Sequence, residues 1–140
     1  MAVSFELLEH PADIGFRAHA PTLPQLFAEC ARALVSIILD PSNIEHTQRF
    51  TLRAEAEDCD SLLVNWLNEV LYYTDAQRLA LDVFDITSFN DTLIECVAYG
   101  ERRDPLKHPA KLIVKAATYH QLRIARSSAG EWSADVYVDI

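Results

Sequence analysis

The chain has 140 residues, of which 50% are hydrophobic and 24% are charged, and its formal net charge is −9 at pH 7. This length and composition predict a single domain spanning residues 1–140 and exclude an intrinsically disordered chain. The acidic excess argues against a protein whose main task is to neutralise nucleic-acid phosphates, so any contact with RNA is expected to be indirect. Such an excess suits a basic protein partner or a cation, and it also serves solubility alone.

The cysteines and the N-terminus indicate the cellular compartment. Cys30, Cys59 and Cys96 are odd in number and widely spaced, which predicts neither a disulfide framework nor a thiolate zinc site. The first residues contain no basic region followed by an apolar run, and no stretch approaches the roughly 20 apolar residues that cross a membrane. We therefore expect a cytoplasmic protein without membrane association, and we favour a monomer.

The first part of the chain predicts two short strands and a helix. The strands cover residues 4–8 and 16–20, and the Pro, Asp and Gly within residues 9–15 are typical of a turn. Thr22 and Gln25 form a capping box ahead of apolar residues at helical spacing, and Asp40-Pro41 ends that pattern. This segment is therefore predicted to be an amphipathic helix.

The rest of the chain predicts one further helix among strands. Alternating apolar and polar residues predict a strand at 50–55, and Asp58 or Asp60 caps a helix that ends near Thr74-Asp75. Further strands are predicted at 81–89, 92–99, 112–119, 121–126 and 132–138. The resulting fold class is α+β, a two-layer sandwich with two helices packed on one face of a mainly antiparallel sheet.

The last predicted strand holds the strongest candidate site. Its alternation continues to the C-terminus, which places Asp139 away from the apolar face and ties the carboxylate of Ile140 into the sheet. Asp13 adds a third carboxylate if the first and last strands are neighbours. Oxygen ligands of this kind suit a hard cation, calcium better than a transition metal. The alternative is local: Asp13 caps its own turn, and Asp139 is a solvated terminal charge.

Histidines and one lysine give weaker candidates. His10, His108 or His120 could join the carboxylates in a transition-metal or acid–base site, although none of their spacings is a metal motif. Lys115 could meet a phosphate or an acidic neighbour, or it could simply be paired or extend to solvent. The sequence contains no Ser-His-Asp, Cys-His or phosphate-loop pattern, and we predict no catalytic residue.

Five segments together resemble the archease family. They are FELLEHPADIG at 5–15, LLVNWLNEVLY at 62–72, YGE at 99–101 with His108, VKAATYH at 114–120, and the closing stretch from Trp132 to Ile140. The resemblance covers nearly the whole chain in the correct order. Two positions depart from the family pattern, because Pro11 stands where the family usually has Thr and Asn65 where it often has Asp. The second departure puts a partner contact at that position in doubt.

The resemblance implies a non-catalytic cofactor protein that activates a GTP-dependent RNA-splicing ligase. It would promote guanylylation and multiple turnover of the ligase in tRNA splicing or RNA repair, while the ligase itself carries the GTP chemistry. The implied metal ligands are Asp13, Asp139 and Ile140, with calcium as the ion, magnesium or another divalent cation being the alternative. His10, His120 and Lys115 are implied to support these ligands or to contact the ligase.

Two other classes of function remain open on the sequence. A small metal-dependent phosphoesterase would use Asp13 and Asp139 to hold the ion and His120 as general acid or base, and it would turn over without a partner. A chaperone-like adaptor would use its metal only structurally, and it would act equally on unrelated client proteins.

Overall fold

A computed structural model describes residues 2–10 and 13–140, including all side chains in these ranges except those of Glu9, His10 and Asp13. The residues in these ranges form two helices and eight strands. The elements are β1 (Ser4–His10), β2 (Asp13–Ala20), α1 (Leu23–Ile38), β3 (Gln48–Glu55), α2 (Cys59–Asp75), β4 (Leu79–Asn90), β5 (Leu93–Arg102), β6 (Ala116–Ala117), β7 (Arg123–Arg126) and β8 (Trp132–Asp139).

The described strands form two sheets, and all of their pairings are antiparallel. A five-stranded sheet has the order β1-β2-β8-β6, with β7 also pairing with β8. A three-stranded sheet has the order β3-β5-β4. The predicted α+β class is confirmed, and α1 packs against strands of both sheets.

Both helices begin where their capping residues predict. The Thr22 hydroxyl accepts a hydrogen bond from the Gln25 N–H (3.3 Å), and the Asp58 carboxylate accepts one from the Ser61 N–H (2.8 Å). Each helix then buries one apolar face. Trp66 on α2 is fully buried, and its indole N–H donates to the Phe27 carbonyl on α1 (2.9 Å), which joins the two helices. Within the described residues, no helix is both long enough and apolar enough to cross a membrane.

Two predicted segments differ in the structure. The turn predicted over residues 9–15 is largely strand, because β1 continues to His10 and β2 already begins at Asp13; residues 11–12 lie outside the described part. The strand predicted over 112–119 was wrong, since only Ala116–Ala117 are β structure. Its buried residues, Val114 and Ala117, are three positions apart, a spacing that does not repeat along one face of a strand.

Candidate metal centre

The predicted ligands lie at one end of the five-stranded sheet. Strand β8 lies between β2 and β6, and Ile14 on β2 is the cross-strand partner of Val138 on β8. In this antiparallel register Asp13, which precedes Ile14, stands beside Asp139, which follows Val138. His10 on β1 is the partner of Asp13. The backbone therefore brings His10, Asp13 and Asp139 together at the edge of the sheet where β1 and β8 end and β2 begins. The side chains of His10 and Asp13 lie outside the described part.

The described members of this set face solvent. Asp139 is exposed, and Ile140 is 51% exposed. No ion pair links the Asp139 carboxylate to the described side chains. The described His, Cys, Asp and Glu side chains form no group of three or more that could hold a metal; the Asp13 side chain and the Ile140 carboxylate are not among them. The donors available at this edge are carboxylate oxygens, which fit calcium or magnesium better than a soft metal.

The backbone of Asp139 is fixed by the segment that contains β6. The Lys115 N–H donates to the Asp139 carbonyl (2.7 Å), and Ala116 is the cross-strand partner of Asp139. Thr118 donates both its N–H and its hydroxyl to the Tyr137 carbonyl, each at 3.1 Å. The end of β8 is thus held in place up to Asp139, as a rigid ligand position requires.

Two asparagines on α2 bond to the sheets, and the sequence did not predict either contact. The Asn68 amide oxygen accepts the Ala117 N–H on β6 (2.8 Å), and the Asn65 amide group donates to the Glu55 carbonyl on β3 (2.8 Å). Position 65 is one of the departures from the family pattern. An ionised Asp there could not donate this hydrogen bond, so Asn65 has a structural role of its own.

Gly15 allows an aromatic ring to lie across β2 beside the centre. A Cβ atom on Gly15 would lie 2.5 Å from the Val136 carbonyl oxygen and 2.8 Å from the Tyr137 ring. The Tyr137 ring also contacts His120: the centroids of the two rings are 6.2 Å apart in an edge-on arrangement. His120 therefore lies beside Tyr137 on β8, which is two residues before Asp139. The His120 side chain is exposed.

Lys115 lies between the candidate ligand Asp139 and a groove along α2. Its side chain is exposed, and the groove, of about 480 Å³, is lined by Asn68, Tyr72, Ile113 and Lys115 among others. Lys115 lies outside the regular strands, and its backbone N–H is bonded to the candidate ligand Asp139.

His108 is not part of this centre. It is 1% exposed, accepts the Asp104 N–H at Nδ1 (3.0 Å), and so donates from Nε2 to the Glu101 carboxylate (3.0 Å). Glu101 also accepts the Glu45 N–H (2.8 Å) and bonds to Lys107 (2.9 Å). The Glu45 N–H, followed by Lys107, lowers the pKa of Glu101 to about 2. The ligand role considered for His108 was wrong, because both ring nitrogens are used to hold the 103–108 loop.

A second ion pair occupies the outer face of the five-stranded sheet. Arg17 on β2 makes two hydrogen bonds to Asp135 on β8, at 2.7 and 3.0 Å. The bonds to Asp135 raise the pKa of Arg17, and the bonds from Arg17 lower the pKa of Asp135. The pair joins the two strands that carry Asp13 and Asp139, four residues from each. All three cysteines are free, and burial raises the pKa of the Cys30 thiol.

Comparisons with known proteins find similarity over nearly the whole chain. The model of the Archease protein family matches residues 5–140. Protein archease of Pyrococcus furiosus is 37% identical over 139 residues, covering 97% of this chain and 98% of the relative. Protein archease of Methanosarcina mazei is 34% identical over 140 residues, covering 97% and 95%.

Two solved structures share the fold. The solution structure of Methanobacterium thermoautotrophicum protein 1598 aligns with a TM-score of 0.78 at 29% identity, covering 97% of this chain and 98% of that one. The crystal structure of an archease from Thermotoga maritima, described as a possible chaperone, aligns with a TM-score of 0.63 at 18% identity, covering 95% and 94%. The second likeness concerns the fold alone.

Proposed function

Since this chain belongs to the archease family, we propose that it is a non-catalytic, metal-binding cofactor protein that activates a GTP-dependent RNA-splicing ligase. It promotes guanylylation of the ligase and its multiple turnover in tRNA splicing or RNA repair, in the cytoplasm. The observation that carries this proposal is the alignment of Asp13 and Asp139 on neighbouring strands at one exposed sheet edge, next to the C-terminal Ile140.

A hard divalent cation fits this edge. Asp13, Asp139 and Ile140 would hold it through oxygen atoms, and calcium accepts such irregular oxygen sets more readily than magnesium does. The bound ion would supply a fixed positive charge among carboxylates. The chain's own part is to keep β2 and β8 in register and to hold the Asp139 backbone through Lys115.

The exposed position of the edge suits docking into a partner. Asp139 and Ile140 are exposed at the end of β8, and Lys115 and His120 are exposed close by. Together with a net charge of −9, this favours a basic surface such as a site that binds phosphates. Lys115 and His120 are proposed to contact the ligase directly, and RNA is contacted only through the ligase.

Activation requires unequal binding to two states of the ligase. A partner that binds both states with the same affinity shifts no equilibrium, however tightly it binds. We propose that the metal edge binds the nucleotide-accepting state of the ligase more tightly. The free energy of that preference is then what accelerates guanylylation and lets the ligase turn over repeatedly.

The test is multiple-turnover joining of RNA ends by the cognate ligase with and without this protein. Asp13→Ala and Asp139→Ala, each checked for folding, should lose the stimulation that the wild type gives. Asp91→Ala is the matched control, because it removes an exposed carboxylate from the turn between β4 and β5 in the other sheet. No stimulation by the wild type at any ratio, or equal stimulation by all three variants, would contradict the proposal.

A chaperone-like adaptor is the second candidate, favoured by the description of the Thermotoga maritima structure as a possible chaperone. It predicts that unrelated client proteins are protected from aggregation as effectively as the ligase. It also predicts that Asp13→Ala and Asp139→Ala retain this protection, since the metal would be structural only. Stimulation that is specific for the ligase and lost in both variants would exclude it.

A further inference from the structure

We propose that Asn68 on α2 is a positioning residue for the metal centre, acting through β6 on Asp139. The proposal rests on the proposed function, because it assumes that Asp139 binds the ion. The second helix thereby supports β6: on the side of β6 that faces away from β8, the Asn68 amide oxygen accepts the backbone hydrogen bond that a neighbouring strand would otherwise accept.

Strand β6 is too short to be held in position by its own strand pairing. It consists of Ala116 and Ala117, and its partner in the sheet is β8 alone among the described strands. On the opposite side, the Ala117 N–H donates to Asn68 at 2.8 Å. Ala117 is 5% exposed, so water cannot readily replace this acceptor. A buried N–H without a partner is costly, and β6 would have to move to satisfy it.

A movement of β6 would reach Asp139 directly. Ala116 is the cross-strand partner of Asp139, and the Lys115 N–H donates to the Asp139 carbonyl at 2.7 Å. On the other side of β8, the cross-strand pairs with β2 end at Val138, which pairs with Ile14. Among the described residues, the backbone of Asp139 is therefore supported by the β6 segment, and Asn68 fixes that segment to the helix.

The chain contains a matched control one helical turn away. Asn65 lies three residues before Asn68 on α2, and its amide group also bonds to a strand backbone, the Glu55 carbonyl, at 2.8 Å. That strand, β3, belongs to the three-stranded sheet. Truncation of Asn65 thus removes the same side chain and one hydrogen bond to a strand backbone from the same helix, without touching β6 or β8; in this bond Asn65 donates, whereas Asn68 accepts.

The experiment compares Asn68→Ala, Asn68→Asp and Asn65→Ala by calcium titration calorimetry and by amide hydrogen exchange at Ala117. Asn68→Asp keeps an accepting oxygen in place. Asn68→Ser, whose hydroxyl is too short to reach Ala117, serves as a second truncation if Asn68→Ala does not fold. Loss of a residue that orients a ligand typically weakens metal affinity by about 10–100-fold, and we expect about tenfold for Asn68→Ala because it acts one step away.

We expect Asn68→Ala to speed exchange at Ala117 at least about tenfold, as the loss of one hydrogen bond implies. Asn68→Asp and Asn65→Ala should keep the exchange rate and the calcium affinity close to those of the wild type. Unchanged calcium affinity in Asn68→Ala, or an equal loss in Asn65→Ala, would overturn the inference. A wild type that binds no calcium would contradict the proposed function as well, which tells the two failures apart.

Discussion

Glu101 and Asp139 both lie at the end of a strand, but their carboxylates are in opposite surroundings. The Glu101 side chain is 15% exposed and accepts hydrogen bonds from Glu45, Lys107 and His108. The Asp139 side chain is exposed, and among the described residues it is held through its backbone, by the Lys115 N–H. A carboxylate whose donors come from the chain stabilises the fold. A carboxylate with a fixed backbone and an open side chain is available to an external cation.

The largest effect should follow from truncating the open carboxylate. We expect Asp139→Ala to weaken calcium binding by about 100-fold, the upper part of the range for residues that tune a metal site. The free energy of unfolding without metal should change by no more than about 0.5 kcal/mol, because surface substitutions rarely do more. Calorimetric titration and urea unfolding measure the two quantities. Wild-type calcium affinity in this variant would remove Asp139 from the site.

His108→Phe should have the opposite profile. The ring would be replaced, but the Asp104 N–H and the Glu101 carboxylate would each lose a partner, so we expect a loss of about 3 kcal/mol in the free energy of unfolding. Calcium affinity should stay that of the wild type. Urea unfolding and titration on the same preparation test this, and a weakened calcium affinity in a folded variant would mean that the two regions are coupled.

Gly15→Ala should affect both stability and metal binding, since Gly15 lies in β2 beside the candidate ligands. The added methyl group would meet the Val136 carbonyl at 2.5 Å and the Tyr137 ring at 2.8 Å, and such overpacking costs about 1–3 kcal/mol. Because the backbone of β8 must shift, calcium affinity should fall as well. Thermal unfolding with and without calcium measures both. Unchanged stability would contradict this expectation, because it would mean that the β8 backbone and the Tyr137 ring both move aside without cost.

The smallest effect is the pH dependence of Glu101. Its pKa is lowered from 4.5 to about 2 in the folded chain, chiefly by the Glu45 N–H and then by Lys107. A lowered folded-state pKa gives a stabilisation that is complete above the unfolded pKa and is lost as the pH falls through about 2. As the pH is lowered from 4.5 to about 2, the urea midpoint should therefore fall more steeply in the wild type than in Glu101→Gln. Parallel pH profiles would contradict this assignment.

The parts of the fold set by local signals were predictable. Thr22 caps the first helix as expected, and Asp58, one of the two residues predicted for this role, caps the second, because capping depends on residues three positions apart. The division into two sheets could not be predicted, because the alternation of apolar and polar residues does not indicate which strands pair with each other. The strand predicted at 112–119 failed because Val114 and Ala117 are buried by separate contacts rather than by one face.

The position of Asp139 at the end of the last strand was predictable, but the backbone contacts that hold it were not. Asp139 and Ile140 follow from a strand pattern that continues to the end of the chain. The bond from Asn68 to Ala117 joins residues 49 positions apart, and nothing in either local sequence marks it. The contact between Gly15 and the Tyr137 ring likewise depends on the register of β2 and β8.

The central claim is that the sheet edge formed by Asp13, Asp139 and Ile140 binds a divalent cation. The most direct measurement is a calcium titration of the isotope-labelled protein, followed through its backbone amide resonances. We predict saturable shifts at residues 13–15, 115–118 and 137–140, with the amides of Glu45, Glu101 and His108 unmoved. No shift up to millimolar calcium, or shifts confined to the three-stranded sheet, would contradict the account.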